Sequence, residues 1–189
     1  MPNPNNVIFA YICFQILQFM SEIKIELVTT EKQLLDFIKF PMILYKNNQN
    51  YVPPLIKDEK NTWNAKENPA LAYSEAKQFL AYKNNEIVGR IAVMVNHKEA
   101  KELGIEKVRF GWLDFIDDEA VSKALIDEAI KFAEEKNIKK IEGPMGFTNL
   151  DKAGMLTYGF EKLATMIGLY NHEYYAKHLE KLGLSKEKE

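Results

Sequence analysis

A hairpin followed by a strand–helix–strand crossover is the sequence feature that most constrains this fold. Two strand-like runs within residues 78–95 are joined by Asn84 and Asn85, and asparagine tolerates the positive φ angles of a type I′ turn. Residues 108–142 then have the pattern of a strand, an amphipathic helix and a second strand. Strands joined by a tight hairpin are antiparallel, whereas strands joined by a helical crossover are parallel. The sequence therefore predicts a mixed sheet.

Helices flank these strands in the predicted order of elements. Alternation over residues 23–28 indicates one further strand, and Thr30 with Gln33 matches a capping box that begins a helix. We expect Pro41 to end or kink that helix, because proline lacks the amide proton. Further helices are predicted at residues 55–63, 97–103 and 174–182. The predicted fold class is α/β (α+β), a mixed and mostly antiparallel sheet flanked by helices.

Composition and charge exclude several classes of function. The 189 residues suit one domain, and a net charge of −2 offers no global attraction for nucleic acid. The single cysteine, Cys13, excludes an internal disulfide and a thiolate metal cluster. His97, His172 and His178 lack metal-ligand spacing, and neither a Ser-His-Asp arrangement nor a phosphate-binding glycine motif is evident. We expect a cytoplasmic protein with no metal, no tightly bound cofactor and no nucleic-acid partner.

The two ends of the chain carry separate expectations. Residues 7–20 form an uncharged apolar run that is too short for a transmembrane helix and lacks signal-peptide features. We interpret residues 1–20 as an apolar N-terminal extension, of which residues 1–19 lie upstream of a start at Met20, with a membrane-surface helix or a docked helix as alternatives. Residues 21–189 are expected to form the domain. The chain stops where a further strand is expected, which predicts a missing C-terminal second half.

Short motifs spread over residues 23–184 carry a family resemblance. They are Pro53-Pro54-Leu55, Asn68-Pro69, Phe79-Leu80-Ala81-Tyr82, Val88-Gly89-Arg90-Ile91-Ala92, Phe110-Gly111-Trp112, Gly143-Pro144-Met145-Gly146-Phe147, Gly159-Phe160 and Tyr170-Asn171 with Tyr174-Tyr175. In combination they resemble a bacterial family with two GNAT-like (N-acetyltransferase-like) halves, which includes members implicated in bacterial ceramide synthesis. The resemblance implies a GNAT-like fold and acyl-CoA-dependent N-acylation of a small-molecule or lipid amine. It also implies a second GNAT-like half as partner.

Two positions depart from what the resemblance implies. GNAT proteins bind the acyl-CoA pyrophosphate on a glycine-rich turn after the fourth strand, but here Asp117, Asp118 and Glu119 occupy that turn without a glycine. Acidic residues there are typical of helix capping. GNAT enzymes also place a tyrosine acid in the last helix, and the comparable residue here is Leu179. Acyl-CoA is therefore a possible co-substrate, and its binding by this half is an open question.

Asp114 is the candidate general base. Strict alternation along the strand places it on the same face as Phe110, Trp112 and Ile116, where desolvation favours proton acceptance. GNAT enzymes often carry their base carboxylate on this strand. The alternative is that Asp114 faces solvent or pairs with Arg90.

The remaining candidates come from the last helix and from a glycine-rich loop. Tyr174 and Tyr175 are candidate catalytic acids if the helix is shifted, with packing as the alternative. A loop that follows a strand end is a common place for ligands, although it can also be a shaped turn covering the sheet. The candidate substrate-binding residues are Arg90, Gly143, Met145, Gly146, Phe147, Asn149 and Asn171.

Two functions follow from these residues. The first is an acyltransferase that acylates an amine with acyl-CoA as donor. The second is a non-catalytic GNAT-like domain that packs on an active partner half and shapes its substrate site. Whether this chain is itself an enzyme stays open at the level of the sequence.

Overall fold

A five-stranded sheet organises the structure, a computed structural model that describes residues 22–148, 151–165 and 168–187. The predicted N-terminal extension, residues 1–20, lies outside the described residues. The strands are β1 (Lys24–Leu27), β2 (Ser74–Lys83), β3 (Glu86–Asn96), β4 (Val108–Phe115) and β5 (Ile141–Glu142), adjacent in that order. The first three strand junctions are antiparallel and the β4–β5 junction is parallel. The predicted mixed sheet is confirmed.

Helices cover both faces of this sheet. They are α1 (Glu31–Leu44), α2 (Ile56–Thr62), α3 (His97–Leu103), α4 (Glu119–Glu135) and α5 (Tyr174–Lys181). One core cluster joins the sheet to α4 and α5, and it includes Phe110, Phe115, Leu125 and Tyr175. A second cluster, on the other face, joins the sheet to α1. The predicted arrangement of a sheet flanked by helices is confirmed.

Local turn and capping signals explain where these elements begin. Asn84 and Asn85 have φ angles of 53° and 64°, as a type I′ turn requires. Thr30 accepts a hydrogen bond from the amide of Gln33, and the Gln33 side chain accepts one from the amide of Thr30. These pairs confirm the predicted hairpin and capping box.

Helix α1 does not end at Pro41. It continues to Leu44, so of the two predicted effects of Pro41 the ending of the helix was wrong, whereas a kink stays a prediction. Proline cannot donate the i to i−4 hydrogen bond, and the carbonyl of Phe37 is therefore left without its usual helical donor. That carbonyl is used by the candidate site.

A bulge in β4 changes which residues share a face. Arg90 pairs with Asp114 but Ala92 pairs with Gly111, so β4 has one extra residue, and Trp112 has a φ of +45°. Phe110 and Ile116 pack in the core beside α4 and α5, whereas the Asp114 carboxylate lies against α1. The predicted common face of Asp114 with Phe110 and Ile116 was wrong, because the bulge interrupts the alternation.

Strand β5 is shorter than predicted. Only Ile141 and Glu142 are in the strand, whereas the apolar pattern predicted a strand over residues 138–142. Val108 pairs with Ile141 and Arg109 with Glu142, and the parallel ladder ends there.

Candidate active site

A cavity of about 220 Å³ lies beside β4, beyond the end of its pairing with β5. The amide of Met145 still donates to the carbonyl of Phe110 at 2.8 Å, but beyond this point the two segments separate. The cavity is lined by the bulged part of β4, by residues between α1 and α2, and by the segment that follows β5. Clefts at diverging strands are common ligand sites in α/β proteins.

Asp114 and Arg90 form a buried ion pair at this cavity. Arg90 donates to Asp114 Oδ2 from Nε at 2.8 Å and from Nη2 at 2.7 Å. The Asp114 side chain is 9% exposed and the Arg90 side chain 8%. The pairing that the sequence left open is observed, and neither residue lies on the sheet surface.

Helix α1 completes the hydrogen bonding of Arg90. Its Nη1 donates to the carbonyl oxygen of Phe37 at 2.8 Å, and its guanidinium lies 5.0 Å from the centre of the Phe37 ring. That oxygen is available because Pro41 offers no amide proton. The proline inside α1 therefore supplies an acceptor to the buried arginine.

A directed chain of hydrogen bonds ends on Asp114. Because an ionised carboxylate only accepts, Tyr45 donates to Asp114 Oδ1 at 2.9 Å. The hydroxyl of Tyr175 then donates to that of Tyr45 at 2.8 Å and accepts from the amide of Phe115 at 2.9 Å. The pKa values of both tyrosines lie well above the usual range for tyrosine. Burial is the larger cause, and the negative charge of Asp114 is the second.

The two candidate acids bind the free edge of β4. Tyr174 donates to the carbonyl of Phe115 at 2.5 Å, and Tyr175 accepts from the amide of the same residue. Both hydroxyl protons are thus engaged within the protein. The position compared with the GNAT tyrosine, Leu179, is buried in the core. The catalytic role of Tyr174 and Tyr175 stays a prediction.

Glycines allow the loop after β5 to lie close to β4. A Cβ on Gly143 would lie 2.2 Å from the carbonyl oxygen of Phe110, and one on Gly111 would lie 2.4 Å from that of Met145. Gly146 is packed against Asp151 in the same way. Any larger residue at these positions would clash with its neighbours, so the packing of the loop requires glycine there.

The other predicted binding residues are divided between the cavity and the core. Met145 and Asn171 line the cavity, and Asn171 bonds both backbone groups of Leu156. Phe147 is 2% exposed and packs in the core on the α1 side. Asn149 lies outside the described residues. Ligand binding by these residues stays a prediction.

Some residues of the site were missed by the sequence reasoning. Tyr45, Tyr51 and Glu59 surround or support the cavity, and Trp112 donates from Nε1 to Glu59 Oε2 at 2.8 Å. Arg109 is also buried, and it donates to the carbonyl of Phe147 at 2.5 Å. These contacts join parts of the chain that are distant in sequence, so no local pattern predicts them. Tyr51 is the exception in having a sequence signal nearby, the double proline at residues 53 and 54.

The acidic turn before α4 caps this helix through Asp118. Asp118 accepts from the amide of Ala120 at 2.9 Å and pairs with Lys83 at 2.7 Å. Glu119 pairs with Lys181. The capping interpretation is confirmed, and this turn presents negative charge where the family resemblance implies a pyrophosphate.

Ser122, His178 and Asp117 are brought together, although the sequence indicated no Ser-His-Asp arrangement. Ser122 Oγ lies 2.9 Å from His178 Nδ1, and His178 Nε2 lies 3.0 Å from Asp117 Oδ1. Ser122 is 1% exposed and does not line the cavity. The three residues join α4 to α5 and do not form a reactive nucleophile.

Neither a metal centre nor a membrane-spanning helix is present in residues 22–148, 151–165 and 168–187. No group of three or more His, Cys, Asp and Glu residues there is arranged to hold a metal ion. Within the same ranges, no helix combines the length and the apolar character needed to cross a bilayer.

The sheet order, the bulged β4 and the cavity at its edge define a GNAT-like fold, as predicted. The crystal structure of a probable acetyltransferase matches with a TM-score of 0.51 at 12% identity, covering 87% of this chain and 91% of that chain. This likeness confirms the fold class.

Curated relatives confirm the resemblance to GNAT-like N-acyltransferases. The chain is 31% identical over 150 residues to Protein YghO of Escherichia coli (strain K12), covering 79% of this chain. It is 25% identical over 160 residues to the bacterial ceramide synthase of Caulobacter vibrioides (strain NA1000 / CB15N), covering 84% of this chain. The matches span 38% and 42% of those two proteins, so the chain corresponds to less than half of each. No family model matches the chain.

Proposed function

We propose that this chain contributes to the transfer of an acyl group from acyl-CoA to an amine. The observation that carries the proposal is the cavity at the bulged edge of β4, with buried charged groups, within a GNAT-like fold. The relative named bacterial ceramide synthase supports the same class of reaction.

The proposed reaction is a direct attack of the neutral amine on the thioester carbonyl. The nitrogen–carbon bond forms, the carbon–sulfur bond breaks, and the departing thiolate takes up a proton. Backbone amides near the bulge at Trp112 are suited to stabilise the oxyanion, because preorganised dipoles in a low-dielectric site act strongly on developing charge.

Asp114 is the base that the sequence predicted, and its surroundings limit that role. Oδ1 accepts from Tyr45, and Oδ2 accepts twice from Arg90. In this geometry the pairing with Arg90 favours the ionised carboxylate, and only Oδ1 keeps an acceptor site that is not already used. We propose that the Asp114–Arg90 pair principally maintains the cavity wall.

The lining of the cavity favours an amine with an apolar body. Tyr51, Trp112, Met145 and Met155 supply apolar and aromatic surface beside the charged side chains of the lining. A small-molecule or lipid amine fits this chemistry. The acceptor and the acyl chain length belong to the proposal.

A second candidate function is favoured by the turn before α4. Because Asp117, Asp118 and Glu119 occupy the implied pyrophosphate site, the chain can instead be a non-catalytic GNAT-like domain. Such a domain would pack on an active second half and shape its substrate site. The relatives are more than twice as long as the matched segment, which accommodates a second half.

Product formation tests the first function. The purified chain is incubated with acetyl-CoA or lauroyl-CoA and a panel of primary amines, and amide is measured by mass spectrometry. We expect amide from the wild type and from Asp127→Asn, an exposed carboxylate on α4, and much less from Asp114→Asn. Absence of amide from the wild-type chain would favour the non-catalytic function.

A further inference from the structure

The cavity contains a carboxylate that the mechanism above does not use. Glu59, in α2, is half-buried and lines the cavity, and its Oε2 accepts from Trp112 Nε1 at 2.8 Å. Among the described residues, no lysine, arginine or histidine forms an ion pair with Glu59. Its remaining oxygen can therefore accept from a ligand.

The other carboxylates at the cavity are already committed to the protein. Asp114 is neutralised by Arg90 and bonded by Tyr45. Asp151 is exposed, and its Oδ2 accepts from the amide of Thr148 at 2.6 Å. Arg90 and Lys152 also line the cavity, but among the described residues Glu59 is the half-buried cavity carboxylate that is in no ion pair, and a cationic ligand would stabilise it.

Aromatic side chains surround the same position. Trp112 holds Glu59 through its indole, and Tyr51 lines the cavity beside them. Burial raises the pKa of the Tyr51 hydroxyl, and the charge of Asp114 raises it further. Arg90 has a smaller opposite effect, and Glu59 adds the smallest increase. A carboxylate beside aromatic rings is suited to bind an ammonium group, because ring faces also attract cations.

We propose that Glu59 binds the ammonium group of the acceptor amine and takes its proton. This inference rests on the proposed acyl transfer. The ammonium gives one proton to Glu59 and becomes a neutral amine that attacks the thioester carbonyl. The second proton leaves the nitrogen as the carbon–sulfur bond breaks and is taken up by the thiolate. Glu59 then returns its proton to solvent, to which it is partly open.

Trp112 acts as the positioning residue for Glu59. Trp112 lies at the bulge and has a φ of +45°. Its side chain packs on the α1 side of the sheet, where the indole donates to Glu59 of α2. The bulge thereby couples the shape of β4 to the position of the proposed base.

Amine binding without any acyl donor tests this inference. The chain contains two tryptophans, so the two indole N–H signals in an NMR spectrum can be assigned with Trp63→Phe. The probe is hexylammonium chloride, with neutral hexanol as the matched control ligand. We compare the wild type with Glu59→Gln, which keeps an acceptor for Trp112, and with Asp58→Asn, which removes an exposed charge from the same helix.

We expect hexylammonium to shift the Trp112 signal saturably in the wild type and in Asp58→Asn. In Glu59→Gln the affinity should fall about 10- to 100-fold, as expected for a lost charge-assisted hydrogen bond. Hexanol should bind both proteins equally. Equal hexylammonium affinity in Glu59→Gln, or no binding to the wild type, would overturn the inference. Glu59-dependent binding in a chain that forms no amide would support amine binding by Glu59 but overturn its role as a base, because acyl transfer by this chain would be refuted.

Discussion

Arg90 Nη1 donates to the carbonyl oxygen of Phe37 at 2.8 Å, at the one turn of α1 where a proline removes the competing helical donor. The same arginine neutralises Asp114 on the neighbouring strand. The contact therefore ties α1 to the two strands that border the cavity. It makes the buried ion pair part of the wall of the site.

The first prediction concerns that ion pair. Arg90→Met leaves the Asp114 carboxylate buried without its counter-charge, and we expect a loss of about 3–5 kcal/mol in the free energy of unfolding. Urea unfolding measures the loss. The double variant Arg90→Met/Asp114→Leu removes both charges and should be more stable than Arg90→Met alone. A single variant as stable as the wild type would contradict the account.

The second prediction separates the adjacent tyrosines of α5. Tyr175→Phe leaves the buried amide of Phe115 without an acceptor and should cost about 1–3 kcal/mol. Tyr174→Phe should cost less, because Tyr174 is half-buried and water can replace its hydroxyl at the carbonyl of Phe115. Chemical denaturation of both variants compares the two costs, and the reverse order would refute this assignment.

The third prediction concerns the close approach of β4 and the following loop. Gly111→Ala places a Cβ against the backbone of Met145, and we expect a loss of up to about 3 kcal/mol. Gly104→Ala is the matched control, because its φ of +64° is strained for alanine but no atom lies within 4 Å, so about 1 kcal/mol is expected. Thermal unfolding measures both, and similar costs would show that the contact is not tight.

The fourth prediction is a pH dependence at His172. Its ring lies 4.8 Å from that of Tyr45, and burial lowers its pKa, against a smaller opposite effect of Asp114 and Asp117. Because the pKa of His172 is lowered in the folded chain, the unfolded chain binds a proton at this residue more readily than the folded chain does. Stability from this residue is therefore complete above the unfolded pKa of about 6.5 and declines as the pH falls below it.

His172→Phe should flatten this decline, since phenylalanine keeps the aromatic packing and does not titrate. His97→Gln, at an exposed position, should leave the slope unchanged. Urea unfolding at several values between pH 5 and pH 7.5 provides the comparison. An unchanged slope in His172→Phe would assign the pH dependence to other groups.

Local signals made the fold predictable, whereas the site depends on distant contacts. Asn84-Asn85 and the Thr30–Gln33 capping box each act over a few residues, so the hairpin and α1 followed from the sequence. The bulge did not, because tryptophan at a positive φ opposes residue preferences. Asp114 meets Tyr45 across 69 positions, a relationship that no periodicity encodes.

Binding of the acyl donor tests the central claim most directly. We propose isothermal titration calorimetry of the purified chain with acetyl-CoA and, separately, with lauroyl-CoA. We expect saturable binding of at least one donor, with a dissociation constant of about 1 μM to 1 mM, the range usual for enzyme substrates. No binding of either donor across that range would contradict acyl transfer by this chain.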